Sequence, residues 1–580
     1  MKPLPCIDPE KIIPISRSTT EVFKTGAWAG RRPLHREKVS PCRAACPAGN
    51  NITQALLRAS QGDFDGALSA FLEESPLPGV CGRVCYHPCQ TACNRGQWDG
   101  EVSIRALERA ASDMGIAQPS LLTAEGEGHP AAVIGSGPAG LSAAYHLARM
   151  GHPVTLVEAE GELGGLLRWG IPAYRLPQRV LERDVERIIS LGVQVRTNTR
   201  VDAREIAALQ ETYEAIFIAT GAQRGLSLEI PGIAQEGVVL GIAFLSATRR
   251  GAAGEVSGRV VVIGGGNVAI DAALTASKLG ADQVELVCVE REDEMPAHEG
   301  ERRDAAEEGV VFYHGWGPHR ILERDGTLSG VEFIRCTAVF DEAGKFNPSY
   351  DESSTLVRDA DMVIVAIGQA PDRSFLEGTG LVDGAGGFIT VDPQTMETTT
   401  RGIFAGGDLV KTPGSVVEAI AAGKQAALAI HMRSLGRSLD EALATVRLGE
   451  GPSFSIEALY RPRADWDPQA VVEFSDLEPL FLNHLPQGAL PRLDVESRRR
   501  GFQEIDLSLD RDEAMRAAER CFFCGTCTQC DRCFLYCPEV SIGRPAEGGV
   551  AYTVDSEHCK GCAVCEVVCP RGVVTMGEGR

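Results

Sequence analysis

From about residue 129 to 435, short β-branched apolar runs alternate with Ala- and Leu-rich stretches of helical period. AAVIGSG, GHPVTLVEA, EAIFIATGA, GRVVVIGGG, DQVELVCV and ADMVIVAIG each end in a loop, and the alternation predicts βαβ units around a mostly parallel sheet. Upstream, residues 1–125 carry short helical patterns such as ITQALLRASQGDFDGALSAFLEE and close in the polar TAEGEGHP. Downstream, residues 436–515 have weak periodicity with scattered Pro and Arg and are read as a connector, while 516–580 are rich in cysteine. No solenoid repeat recurs. No apolar run approaches the ~18 residues a membrane-spanning helix needs. The opening MKPLPCIDPEKIIPIS lacks a charged region followed by an apolar stretch, so no secretory leader is expected and the cytoplasm is the expected compartment.

At 580 residues the chain should hold several domains, and 44% apolar with 23% charged residues is ordinary globular composition. The formal charge of −22 opposes binding to phosphate backbones, so nucleic acid is not an expected partner. The 19 cysteines change the picture. Six fall between Cys42 and Cys93, ten between Cys521 and Cys569, and Cys6, Cys288 and Cys336 stand alone. Disulfide scaffolds are short secreted chains, which makes metal the better reading of these groups.

Two glycine loops follow predicted strands. Gly135-Ser136-Gly137-Pro138-Ala139-Gly140 precedes the helical LSAAYHLARM, with Glu158 at the end of the next strand. Glycines there permit a tight turn and close approach of a pyrophosphate to a helix N-terminus, and the acid can accept from a ribose hydroxyl. The second loop is Gly264-Gly265-Gly266-Asn267-Val268-Ala269, and its following strand ends at Glu290 and Arg291. An acid at that position favours NAD(H), whereas an arginine can accommodate a 2′-phosphate. The balance leans towards NAD(H), with NADP(H) left open. Two such loops in one chain suggest a flavin and a nicotinamide.

The C-terminal cysteines read Cys527-x2-Cys530-x2-Cys533-x3-Cys537-Pro and Cys559-x2-Cys562-x2-Cys565-x3-Cys569-Pro, the pattern of a bacterial two-cluster ferredoxin. In such modules the fourth cysteine of each run serves the other cluster. One [4Fe-4S] site would then be Cys527, Cys530, Cys533 and Cys569, and the other Cys559, Cys562, Cys565 and Cys537. Zinc is the weaker alternative for these motifs. Cys521 and Cys524 precede them at the same step and stay open between ligands and core thiols. The N-terminal set is Cys42, Cys46, Cys81, Cys85, Cys89 and Cys93, whose four-residue steps can bring several thiols to one metal.

With Gly402-Ile-Phe-Ala-Gly-Gly407-Asp408 and the helical SVVEAIAAGKQAALAI after it, the chain resembles flavoproteins of the pyridine nucleotide–disulfide oxidoreductase type. The resemblance implies that the late motif returns to the FAD domain and that Asp408 binds the ribityl chain. The N-terminal cysteines, GGLLRWGIPAYRLP at 164–177 (opening with Gly164 and Gly165) and EMPA at 294–297 narrow it further. Together they are similar to the small subunit of glutamate synthase and its relatives, in a branch with a C-terminal ferredoxin extension. The implied fold is α/β: two Rossmann-like domains for FAD and NAD(P), preceded by a helical iron–sulfur domain and followed by a bacterial-type ferredoxin domain. The expected divisions are 1–125 (iron–sulfur), 126–240 and 371–435 (FAD), 241–370 (nicotinamide), 436–515 (connector) and 516–580 (ferredoxin). Where the family has two further cysteines before Cys42, this chain has Leu34 and Glu37. Three [4Fe-4S] clusters are therefore expected, or four if a non-cysteine ligand completes another.

Disulfide reductases need a close cysteine pair beside the flavin, and between residues 94 and 520 only Cys288 and Cys336 occur. Both are read as core thiols, and disulfide reduction is disfavoured. The expected activity is that of an FAD- and iron–sulfur-dependent NAD(P)H:acceptor oxidoreductase subunit, with no general acid or base required. Its partner would be a ferredoxin or a redox enzyme of the 2-oxoacid:ferredoxin oxidoreductase, sulfite reductase or glutamate synthase type, within a hetero-oligomeric complex. The alternative is an electron-wiring subunit without nicotinamide turnover. His298, beside EMPA, is read as an ordinary surface or helix residue in preference to a nucleotide contact.

Overall fold

The computed structural model describes residues 24–123, 128–381, 388–410, 414–545 and 552–578. Cys6, the opening segment and the expected boundary at 125/126 lie outside the described residues. The chain forms two compact units. The larger comprises Cys42–Pro462 and Pro486–Cys521; the smaller comprises described residues up to Pro41, Arg463–Leu485, and those from Phe522 onward.

In the larger unit two five-stranded parallel sheets are present. The first runs Ile403–Ala405, Ala215–Ile218, Ala131–Ile134, Val154–Val157, Gln194–Arg196. The second runs Val311–His314, Gln283–Cys288, Arg259–Ile263, Met362–Val365, Val238–Leu240. All six apolar runs named above form strands in these sheets. Ala131–Ile134 and Val154–Val157 are buried at every position, as parallel strands covered on both faces must be. The sheets are joined by a short antiparallel pair, Arg224–Gly225 with Gln369–Ala370.

An antiparallel three-stranded meander, Trp316–Arg324, Thr327–Phe340 and Phe346–Asp359, is an addition that the βα alternation did not foretell. Its first turn uses Asp325 and Gly326, both at positive φ (55° and 80°). Asp-Gly suits such a two-residue hairpin because the turn needs left-handed backbone twice.

The N-terminal part of this unit is helical. Ile52–Ser60 buries Ile52, Ala55, Leu56 and Ala59, and Phe64–Leu72 buries Phe64, Ala67, Leu68 and Phe71, each a single helical face. Asp63 caps the second helix by accepting from the Gly66 amide at 2.9 Å. A buried ion pair ties the helical region to the first sheet domain. Lys424, on the helix Val416–Ser434, donates to Glu74 at 2.6 Å and to the Ala48 and Phe454 carbonyls at 2.7 Å each.

In the smaller unit, Arg31–His35 pairs antiparallel with Val574–Glu578, and Glu37–Val39 pairs parallel with Trp466–Val471. Residues 463–485 of the segment read as a connector thus belong with the ferredoxin-like cysteines. Short helices Arg532–Leu535 and Val564–Val567 follow the middle cysteines of the two runs.

Candidate functional site

The first glycine loop leaves the central strand of the first sheet and enters the helix Pro138–Arg149. Gly135 takes φ 99°, and a Cβ at Gly140 would lie 1.9 Å from the Gly135 carbonyl, so the turn closes only over glycine. At Gly137 a Cβ would meet nothing within 4 Å, leaving its backbone open to a ligand. Glu158 is buried and holds the loop: its Oε2 accepts from the Ser136 amide (2.9 Å) and hydroxyl (2.5 Å), its Oε1 from the Glu160 amide (2.9 Å). Gly164 donates to Ser136 Oγ at 3.0 Å, and Gly164 and Gly165 both have positive φ.

Gly135, Ser136, Gly137, Glu158 and Gly165 wall a cleft of about 380 Å3 that also includes Pro138, Ala139, Thr199, Thr220, Gly407, Asp408, Ser415 and Val416. The cleft is within the range of cofactor sites. Two helix N-termini, those of Pro138–Arg149 and Val416–Ser434, are built into it, the second capped by Ser415 accepting from Glu418. Helix N-termini favour anionic groups such as a pyrophosphate. Thr220 Oγ1 is buried in the cleft without a partner. Burial, reinforced by Glu418, pushes the Asp408 carboxyl above the usual carboxylate range. An unpaired buried hydroxyl and an acid lining the same cleft suit a polyhydroxylated ligand such as the ribityl and ribose groups of FAD.

The second loop has the same construction. Gly264 takes φ 142°, Gly266 has open space where a Cβ would lie, and the helix Asn267–Lys278 follows. Glu290 stands beyond the end of the strand Gln283–Cys288, with Oε2 buried, unpartnered, and 2.5 Å from where a Gly265 Cβ would be. Burial raises its pKa. Arg291 points away to an exposed ion pair with Glu294 at 3.5 Å. Val268 is half-buried against the sheet core. Tyr174 and Arg175 of the GIPAYRLP motif grip the helix through Asp271: Arg175 reaches Asp271 at 2.7 Å and Glu301 at 2.5 Å. A second opening of about 470 Å3 shares Gly165, Leu166, Gln223 and Arg224 with the first cleft.

Cysteines form three groups. In the smaller unit, one cavity is lined by Cys527, Cys530, Cys533 and Cys569, and another by Cys537, Cys559, Cys562 and Cys565. Each therefore draws three cysteines from one run and the fourth from the other. Four cysteines lining each cavity is the ligand number that a [4Fe-4S] cluster takes. Burial lifts the Cys527 and Cys565 thiols to about 11 and Cys533 to about 12. The positive charge of a bound metal would stabilise thiolates there.

In the helical region Cys42, Cys46, Cys81, Cys85 and Cys89 are buried. Burial lifts Cys46, Cys81 and Cys89, and takes Cys85 to about 12. Cys93 is half-buried and acts electrostatically on Arg520. One residue here escaped the sequence reading. Glu108, on the helix Ile104–Met114, is buried within electrostatic reach of Cys46, Cys81, Cys85 and Cys89. Asn50 donates to it at 3.4 Å, and burial drives its pKa up to about 8. In sequence it was one acid on an amphipathic helix, with nothing to mark it inward-facing.

Cys288 and Cys336 are buried, and Cys288 Sγ lies 3.6 Å from the Glu290 carbonyl, with burial lifting its thiol to about 12. His298 occupies the N-cap position of the helix Glu299–Glu308 without a side-chain capping bond, and its ring stacks on Tyr86.

Two dinucleotide loops and cysteine-lined seats define the class: a flavin- and nicotinamide-dependent oxidoreductase carrying [4Fe-4S] clusters. Residues 129–423 match the pyridine nucleotide-disulphide oxidoreductase family, and residues 30–119 match dihydropyrimidine dehydrogenase domain II, 4Fe-4S cluster. The chain belongs to the pyridine nucleotide-disulphide oxidoreductase family, as an FAD- and iron–sulfur-dependent NAD(P)H enzyme. It is 34% identical to the NADP(+)-dependent formate dehydrogenase subunit beta of Moorella thermoacetica, over 84% of this chain and 70% of that one. It is 33% identical to the NADPH-Fe(3+) oxidoreductase subunit beta of Geobacter sulfurreducens, over 85% and 77%. It is also 33% identical to the NAD-dependent dihydropyrimidine dehydrogenase subunit PreT of Escherichia coli, over 68% and 90%. No helix among the described residues is long and apolar enough to cross a membrane.

Proposed function

We propose that this chain is the electron-distributing subunit of a hetero-oligomeric cytoplasmic redox enzyme, exchanging electrons between NADH and a partner subunit or ferredoxin. The observation that carries the reading is the pair of cavities in which the fourth cysteine of each run faces the other run. The three relatives support a partner of the dehydrogenase or reductase kind, since each is named as a subunit of one. When bound, FAD supplies the exchange between a two-electron hydride carrier and one-electron iron–sulfur acceptors.

The chain's own residues bind and orient. Gly135, Gly137 and the amides entering Pro138–Arg149 would hold the flavin pyrophosphate, and Glu158 and Asp408 the hydroxyls of its ribose and ribityl groups. Gly264, Gly266, Asn267 and Val268 would hold the nicotinamide pyrophosphate. The Glu290 carboxylate, whose Oε2 has no partner, would accept from a free 2′-hydroxyl and repel a 2′-phosphate, which favours NADH over NADPH. With Cys537, Cys559, Cys562 and Cys565 at one seat and Cys527, Cys530, Cys533 and Cys569 at the other, the ferredoxin part holds two clusters. Cys42, Cys46, Cys81, Cys85, Cys89 and Cys93 supply a third. Glu108 offers the non-cysteine ligand a fourth would need.

Anaerobic reconstitution followed by iron and flavin analysis tests this. About 12 iron atoms per flavin are expected for three clusters and about 16 for four, with flavin bleaching by NADH faster than by NADPH. Fewer than about 8, or no bleaching by either nucleotide, overturns the reading.

A further inference from the structure

Between Cys85 and Cys89, the helical region sends two aromatic residues onto the second glycine loop. The Tyr86 hydroxyl accepts from Asn267 Nδ2, and Asn267 Oδ1 in turn accepts from the His298 amide at 2.8 Å. The Tyr86 ring stacks on His298 with centroids 5.4 Å apart and planes at 16°, and the His87 ring lies against the same imidazole at 5.9 Å. Asn267 is the first residue of the helix whose N-terminus faces the proposed pyrophosphate position, so a dinucleotide bound there would approach the Asn267 side chain that donates to Tyr86.

At the other end of this contact the backbone is strained. His87 adopts φ 48° and ψ 56°, left-handed backbone that a residue with a Cβ rarely takes. The conformation aims the His87 amide at Cys85 Sγ (3.3 Å) and sets the ring nitrogen Nδ1 3.1 Å from the Cys85 carbonyl. Amide hydrogen bonds to ligating sulfurs are among the factors that set an iron–sulfur potential. The residue held out of its ordinary conformation is thus the one that joins a proposed cluster ligand to the aromatic stack over the nucleotide loop.

We infer that Tyr86 and His87 are positioning residues that couple dinucleotide occupancy to the N-terminal cluster. A nucleotide on Asn267 displaces or tightens the Tyr86 contact, the His87 amide moves relative to Cys85 Sγ, and the cluster's potential changes. By reciprocity, the reduced and oxidised cluster give the nucleotide different affinities. The inference rests on the reading above that a dinucleotide binds at Gly264–Val268 and a cluster at Cys85.

ADP-ribose carries the same pyrophosphate and ribose but no redox-active ring, so it probes occupancy without exchanging electrons. The full reconstituted chain is reduced potentiometrically with dithionite, with and without saturating ADP-ribose, and followed by electron paramagnetic resonance. The N-terminal signal is the one lost in Cys85→Ser. That signal is expected to shift in midpoint by at least ~28 mV, a threefold affinity ratio at 59 mV per tenfold for one electron. Tyr86→Phe, which keeps the ring and removes the hydroxyl, should cut the shift by more than half, as should His298→Leu. The ferredoxin signals should not move. ADP-ribose that binds the wild-type chain without moving the Cys85-dependent signal overturns the coupling alone, as does an undiminished shift in Tyr86→Phe. No ADP-ribose binding, or no Cys85-dependent signal, removes the underlying reading and the coupling with it.

Discussion

Glu290 is the side chain proposed to decide between two cofactors. Its Oε2 is buried and unpartnered, an arrangement that costs free energy until a ribose hydroxyl donates to it. A hydrogen bond to a charged group contributes about 1.5–3 kcal/mol. Glu290→Ala should therefore lower kcat/KM for NADH by about 10–100-fold and that for NADPH by less than about threefold, measured by steady-state flavin-coupled dye reduction. Equal losses for the two nucleotides would remove Glu290 as the discriminator. The identity of this residue was legible in the sequence because it ends a strand after a glycine loop. Its orphaned oxygen was not, because pairing depends on whether Arg291 turns inward, and the structure sends Arg291 to Glu294 instead. Glu108 and Tyr86 were illegible for the same kind of reason: an acid on a helix and an aromatic in a loop gain a role only from what they face.

At the scale of elements, the flavin cleft depends on how closely two helices approach. A Cβ on Gly423, in the helix Val416–Ser434, would lie 2.1 Å from the Ala139 carbonyl of the first loop helix. Both helices wall the cleft. Gly423→Ala should push them apart at an overpacking cost of about 1–3 kcal/mol and yield purified protein with markedly less flavin, read from its visible absorbance. The helix Phe64–Leu72 carries a pH-dependent term at its C-terminal end. Burial, then the neighbouring charges of Glu457 and Glu74, raise Glu73 to about 7. The folded state therefore keeps the Glu73 proton that the unfolded chain gives up near 4.5, and stability falls as pH rises from about 4.5 to about 7. At about 1.4 kcal/mol per pKa unit this is an effect of up to ~3 kcal/mol. Glu73→Gln should flatten that decline in urea midpoints taken at pH 5 and pH 8 and leave the variant the more stable at pH 8. The βα elements were plain in the sequence, since buried parallel strands are continuous apolar runs. The meander from Trp316 to Asp359 was hidden, since its last strand is mostly exposed and polar.

For the whole molecule, the crossing of ligands between cysteine runs makes a sharp expectation. Cys569 lines the cavity of Cys527, Cys530 and Cys533, not that of its own run. Cys569→Ala should lose about four iron atoms per chain and the signal shared with Cys527→Ala, while Cys537→Ala should share its signal with Cys559→Ala. Flavin reduction by NADH should persist in all four. Matching losses within a run would reject the crossed arrangement. The doubled motif, with its fixed spacing and closing prolines, is what put the crossed pairing forward from the order of residues, and the two cavities are lined accordingly. The membership of residues 463–485 in the same unit was not readable, because strand Trp466–Val471 has no pattern of its own and is specified by its partner Glu37–Val39.

The pairing of Arg31–His35 with Val574–Glu578 has a consequence for how the protein is made. The two strands are separated by some 540 residues of chain, so at ~5–20 residues per second a ribosome delivers the second roughly half a minute to two minutes after the first. The earlier strand must wait throughout that interval with its edge unpaired. Cys569, emerging just before the awaited strand, is also the last of the four cysteines that line its cavity. Completion of that proposed cluster site and closure of the sheet would thus be late, nearly simultaneous events. A nascent chain stalled before them would expose sulfur and strand edge together, and would be a natural client for chaperones and cluster-delivery proteins.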